Sequence, residues 1–174
     1  MSGPLYLQST VTLADSWSNN WLWGLPLIVL CVLVHCFGLF NVHERIVLPL
    51  SEAMKGKSAQ TAFAYLIAAT ALAIAALHAL EAEVWAFAYV ALDALPDWRA
   101  AMLYSLSAMT SYGHANLDLD KHWQLMGALE ALNGMLLFGL TTAGLFSVLQ
   151  NYAPWGMRKA SLAARHASRI KKLQ

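Results

Sequence analysis

The groups best suited to chemistry in this sequence stand in one short run, Thr110-Ser111-Tyr112-Gly113-His114-Ala115-Asn116, with Asp118 and Asp120 just beyond it. This stretch sets hydroxyls beside an imidazole, which can hold a divalent metal, and beside carboxylates. A pair of carboxylates would raise the local cation concentration, although Lys121 partly offsets them and they read equally well as solvated loop charges. A second set falls at helical spacing: His78, Glu81 and Trp85 at i, i+3, i+7, and Glu130 with Asn133 at i, i+3. Neither a His-x-x-His box nor a Glu-x-x-His partner accompanies them. They therefore read as a hydrogen-bonded brace, with no metal site, no cofactor and no enzymatic activity expected.

The elements that must position these residues follow from composition. The chain has 174 residues, 59% of them hydrophobic and 12% charged, and a mean hydropathy of +0.50. Ordinary globular chains carry about 25% charged residues, so material for a solvated surface is missing. This excludes disorder, nucleic-acid binding and most small soluble enzymes. Trp21 to Phe40 contains no charged side chain, only His35, and Trp17, Trp21 and Trp23 crowd its start like an interfacial aromatic belt. At about 30 Å of helix it is long enough to span a bilayer. Cys31 and Cys36 within it match no zinc or redox spacing and read as packing residues. Further apolar runs cover Thr61 to Leu92, closed by Trp85, Phe87 and Tyr89, and Trp123 to Leu149.

Orientation follows from the basic residues. Arg45, Lys55 and Lys57 lie between the first two spans, Arg99 and Lys121 between the second and third, and six more after the third. Cytoplasmic segments are enriched in Lys and Arg. The N-terminus is therefore expected outside, and residues 1–20 carry no basic residue of the kind that opens a signal peptide. The expected organisation is an extracellular segment over 1–20, a first span over 21–40, a cytoplasmic loop over 41–60 with Pro49 and Gly56 as breakers, a module over 61–150, and a basic cytoplasmic tail over 151–174. In the tail Leu162, Ile170 and Leu173 share roughly one face, which suits contact with anionic lipid.

Within the module, Pro96 and Asp97 signal a helix start. Trp98 to Thr110 then reads as a helix too short to cross a bilayer and too apolar for an exposed loop. Non-helical backbone at membrane depth survives only where it is buried in protein or lines a water-filled path, so the run reads as a re-entrant pore loop. The stretch from about His78 to Leu149 resembles the bacterial potassium-channel-like pore family. The likeness is strongest at Ser105-Leu106, at Trp123 to Gly134 and in the His78, Glu81, Trp85 pattern.

That resemblance implies an all-α integral membrane fold with three transmembrane helices plus a re-entrant pore helix, assembled around a central pore. It implies an outer helix over 61–92, a pore helix and filter over 97–117 and an inner helix over 123–150. The family's filter reads Thr-x-Gly-Tyr-Gly-Asp. Without gaps Ser111 stands at the Thr, Tyr112 at the variable position, Gly113 at the first Gly, His114 at the Tyr, Ala115 at the second Gly and Asn116 at the Asp. A one-residue slip instead matches Tyr112-Gly113 to Tyr-Gly and puts Ser111 on the first Gly. Either register loses one filter glycine, and a non-glycine residue in the left-handed region costs about 1–2 kcal/mol.

The resemblance thus implies a cation channel for potassium and/or sodium with weak or altered potassium selectivity. Thr110 to Asn116 would contact the ion and Asp118 and Asp120 would form the outer mouth. One loop cannot encircle a pore, so a homo-oligomer is required, a tetramer in the family. His114 could repel cations when protonated, hold a divalent metal or merely pack. Gly134, Gly139 and Gly144 punctuate the third span. Gly139 is the hinge candidate and Gly134 the second, with Thr141 and Thr142 near the inner cavity. A non-conducting regulatory pore-like subunit and, further off, a membrane metalloenzyme are the alternatives. The expected location is the bacterial inner membrane, with the C-terminus cytoplasmic and no nucleic-acid partner.

Overall fold

A computed structural model describes the backbone over residues 3–113 and 117–153, with side chains from Trp17 onward. His114, Ala115 and Asn116 of the expected filter and the tail from residue 154, with its expected lipid contact, lie outside the described residues. Every described element is helical. In chain order they are α1 (Gly3–Val42), a π-helical turn (His43–Val47), α2 (Leu48–Ala53), α3 (Ala59–Ala91), α4 (Trp98–Met109) and α5 (Gln124–Tyr152).

The expected break at Pro49 does not occur. The Leu48 N–H bonds to the His43 carbonyl, five residues back. This wider register suspends the bonding pattern that a proline ring would obstruct, and Pro49 sits in the first turn of α2. The chain turns instead at Gly56, whose φ of +97° is a left-handed conformation that glycine adopts without steric cost. Ser58 then caps α3, its hydroxyl accepting from the Thr61 N–H at 3.2 Å. α3 holds neither Gly nor Pro and is rich in alanine, the strongest helix former.

The end of α3 explains where the chain reverses. Asp93 has φ +52°, its N–H bonds to the Val90 carbonyl at 3.2 Å, and the Ala94 N–H reaches back to the Tyr89 carbonyl at 2.9 Å. This is a Schellman closure, which satisfies carbonyls that a helix terminus otherwise leaves open. Four residues later Asp97 caps α4, its carboxylate accepting from the Ala100 N–H at 2.9 Å. The sequence expectation of a helix start at Asp97 therefore has a direct physical counterpart.

Three helical stretches, Trp17–Ala53, Ala59–Ala91 and Gln124–Tyr152, are long and apolar enough to cross a membrane. The first overruns the expected 21–40 at both ends, and on its C-terminal side the π-helical turn carries it past Pro49. Leu22, Val29, Leu33 and Phe37 on α1 and Phe87 on α3 are more than half exposed, far more contiguous apolar surface than a water-soluble chain presents. These features mark a membrane protein.

The described residues divide into two compact units, one formed by those up to 37 with those of 76–139, the other by 38–75 with those from 140 onward. The first has a core of Cys31, Ala82, Trp85, Tyr89, Ala101, Tyr104, Met126, Leu129 and Leu137. In the second, Val47, Leu66 and Val148 are buried, with Val42, Leu50, Ile67 and Tyr152 packed around them. Lipid is as apolar as a leucine side chain, so close packing and buried polar contacts, rather than water exclusion, hold such helices together. The polar contacts are concentrated in the first unit.

Candidate functional site

α4 presents one face to the first unit. Ala101, Tyr104, Ser105, Ser107, Ala108 and Met109 are buried, while Trp98, Leu103 and Leu106 are exposed. Beyond its last turn the buried face ends abruptly: Thr110, Ser111, Tyr112 and Gly113 are all exposed, Tyr112 at 85%. The chain leaves α4 through a second Schellman closure. The Tyr112 N–H bonds to the Ser107 carbonyl at 3.0 Å and the Ser111 N–H to the Ala108 carbonyl at 3.1 Å, with Ser111 at φ +55° and Gly113 at φ +95°. Two left-handed residues within three positions turn successive peptide groups in different directions, and at Ser111 this costs about 1–2 kcal/mol.

Asp118 and Asp120 are exposed, on either side of buried Leu119. Asp120 also works locally, its carboxylate accepting from the His122 N–H at 2.9 Å. Tyr104 beneath them has its phenol pushed up to about 12, chiefly by burial and then by the Glu130 and Asp118 carboxylates, so it stays neutral at physiological pH.

Glu130 fastens α4 to the helices beside it. Its Oε2 accepts from the Tyr89 hydroxyl of α3 at 2.6 Å, and its Oε1 accepts from the Ser105 hydroxyl of α4. Ser105 Oγ also lies 2.9 Å from the Ala82 carbonyl of α3, and Tyr89 meets Tyr104 edge to face with centroids 5.3 Å apart. One carboxylate thus joins α3, α4 and α5. Helical spacing groups Glu130 with Asn133, and both are fully buried, but Ser105 and Tyr89 come from other elements. Spacing along one helix carries no signal for them beyond the presence of polar groups in apolar runs.

Glu81 has different partners. Its Oε1 stands 2.8 Å from His35 Nδ1 of α1 and its Oε2 stands 3.1 Å from His78 Nδ1, one turn earlier on α3. The two imidazoles lie with centroids 5.1 Å apart and tilted by 41°, and His78 stacks on Phe138 of α5. Sequence spacing brings His78 and Glu81 together, and the structure adds His35. The one sequence signal for His35 is its isolation in an otherwise apolar span.

Asn20 performs another unforeseen task. Its Nδ2 donates to the His122 carbonyl at 2.6 Å, and its Oδ1 accepts from the Met126 N–H at 2.8 Å. A buried amide from α1 thereby caps the first turn of α5, where backbone N–H groups lack intrahelical acceptors.

The inner-helix glycines differ in surroundings. A Cβ at Gly134 would run into the backbone of Met109, at 2.8 Å from its Cα, whereas nothing lies within 4 Å of one at Gly139. No family model, curated protein or solved structure matches the chain.

Proposed function

We propose that this chain is one subunit of a homotetrameric, potassium-channel-like channel for monovalent cations, with weak potassium selectivity. The observation that carries the reading is the Thr110–Gly113 segment. It follows a helix of 12 residues set between two membrane-length helices, and its residues lie exposed immediately beyond a face whose buried residues share one core with α3 and α5. At about 18 Å, α4 is too short to span a bilayer, so in this reading it enters and leaves from one side. Polar backbone at that depth requires either protein or water around it, and a ring of subunits enclosing a wet axis supplies both. The C-terminal end of α4, where the helix dipole is negative, then faces the ion path.

In the same reading Asp118 and Asp120 form the outer mouth, the N-terminus is outside and the basic tail is cytoplasmic, in a bacterial inner membrane. Weak selectivity follows from the run Ser111-Tyr112-Gly113-His114-Ala115, in which alanine replaces a glycine that a ring of inward carbonyls would favour. Glu130 holds α4 in register with its neighbours and so supports the path without touching the ion.

The test is single-channel recording of the purified protein in planar bilayers, with potassium on one side and sodium on the other. Openings that reverse near zero voltage are expected. Reversal near the potassium equilibrium value would overturn the selectivity argument. Silence at every voltage and pH, from protein shown to be folded and oligomeric, would overturn conduction and leave a regulatory subunit.

A further inference from the structure

Independently of conduction, we propose that His35, His78 and Glu81 form a binding site for a divalent transition-metal ion of the zinc class, linking α1 to α3. The three groups offer one ligand atom each, all within 4.8 Å of one another. Both imidazoles turn Nδ1 toward the same carboxylate, at 2.8 and 3.1 Å. Zinc takes imidazole nitrogen and carboxylate oxygen at about 2.0–2.2 Å, which puts two ligands of a tetrahedral ion roughly 3.3 Å apart. Small rotamer shifts therefore bring all three donors onto one ion.

Donor chemistry and burial suit such an ion. His35 and Glu81 are fully buried and His78 is 18% exposed, within helices of membrane-spanning length. A carboxylate in such a place is costly unless it is paired. Two neutral imidazoles and one carboxylate balance all but one charge of a divalent ion, and they are the donor types that zinc, cobalt, nickel and copper prefer over magnesium or calcium. Helix spacing fixes two ligands on α3, and the third comes from another helix, so the ion would tie the helices together. Three protein ligands leave one position open to a further donor.

The experiment is metal analysis of tag-free protein purified in detergent without chelator, followed by replacement with Co2+ and visible spectroscopy. Expected results are a stoichiometric ion, cobalt bands of low-symmetry nitrogen and oxygen coordination, and a melting temperature that falls on chelation and recovers with Zn2+. Outer-shell substitutions in metal sites cost about 10–100-fold in affinity, so loss of a ligand in His78→Ala should weaken Co2+ binding at least as much. His35→Gln should do the same. Should His35→Gln not fold, His78→Ala and the zinc-dependent melting of the unaltered protein decide. Unaltered protein without a bound ion, without cobalt bands and with a melting temperature indifferent to Zn2+ would overturn the site. Binding that persists undiminished in His78→Ala would also overturn it.

Discussion

Tyr89 and Ser105 approach the two oxygens of Glu130 from different helices; removal of that one carboxylate leaves the Tyr89 hydroxyl without its acceptor in a dry interior, while Ser105 keeps the Ala82 carbonyl. A buried polar group left without its partner costs about 1–3 kcal/mol. Glu130→Ala should therefore lower stability by at least that much in a detergent denaturation series. Glu130→Gln keeps an oxygen acceptor and should lose less. Equal losses for the two would mean that the volume of the side chain, not its acceptors, matters. Asn20 makes a second such case, because its amide serves the His122 carbonyl and the Met126 N–H together. Asn20→Ala should cost about 1 kcal/mol, the usual loss of a helix cap. Amide exchange at Met126 should accelerate ahead of exchange in the middle of α5, and unchanged exchange there would show that the cap is dispensable.

At the scale of the element, α4 is fixed at both ends by devices that are local in sequence: the Asp97 cap at its start and the left-handed Ser111 at its close. Its seat on α5 depends on Gly134, over which the Met109 backbone passes. Gly134→Ala should destabilise the protein by about 1–3 kcal/mol, the range for overpacking a filled interior. Gly139→Ala meets open space and replaces a poor helix former with the best one, so it should stabilise α5 by up to about 1 kcal/mol. The pair also separates the two roles considered for these glycines. If the chain conducts as proposed and Gly139 serves as a hinge, Gly139→Ala should slow or suppress opening while raising thermal stability. If opening is unchanged, bending occurs elsewhere in α5.

For the whole molecule the decisive property is orientation, because every assignment of mouth and gate depends on it. Lys55 and Lys57 lie in the turn between α2 and α3, while Asp118 and Asp120 lie between α4 and α5. With Cys31 and Cys36 replaced by Ala, a single cysteine in Lys57→Cys should react with an impermeant maleimide only after the cytoplasmic face is opened. Asp120→Cys should react in intact cells. The reverse pattern would invert the topology and place the acidic residues on the cytoplasmic side.

Much of the architecture is legible in the linear sequence because the bilayer enforces it locally. A run of about 20 apolar residues must be helical to satisfy its own backbone, so three membrane-length helices, the short α4 and its Asp97 cap can be read from composition and spacing. Pro49 escapes that reading because a proline breaks a helix only where the i→i−4 pattern holds, and a single π-helical turn suspends it. Likewise, His78 with Glu81 and Glu130 with Asn133 are visible as helix-face pairs, since three residues along a helix bring side chains together whatever surrounds them. Their partners are not visible. His35 reaches Glu81 across 46 positions, Tyr89 reaches Glu130 across 41, and Asn20 reaches Met126 across 106. No periodicity within one helix encodes which face of another helix it meets. That choice is made by the packing of α1, α3, α4 and α5 within the first unit, and it turns isolated polar residues in apolar spans into two buried clusters and a cap.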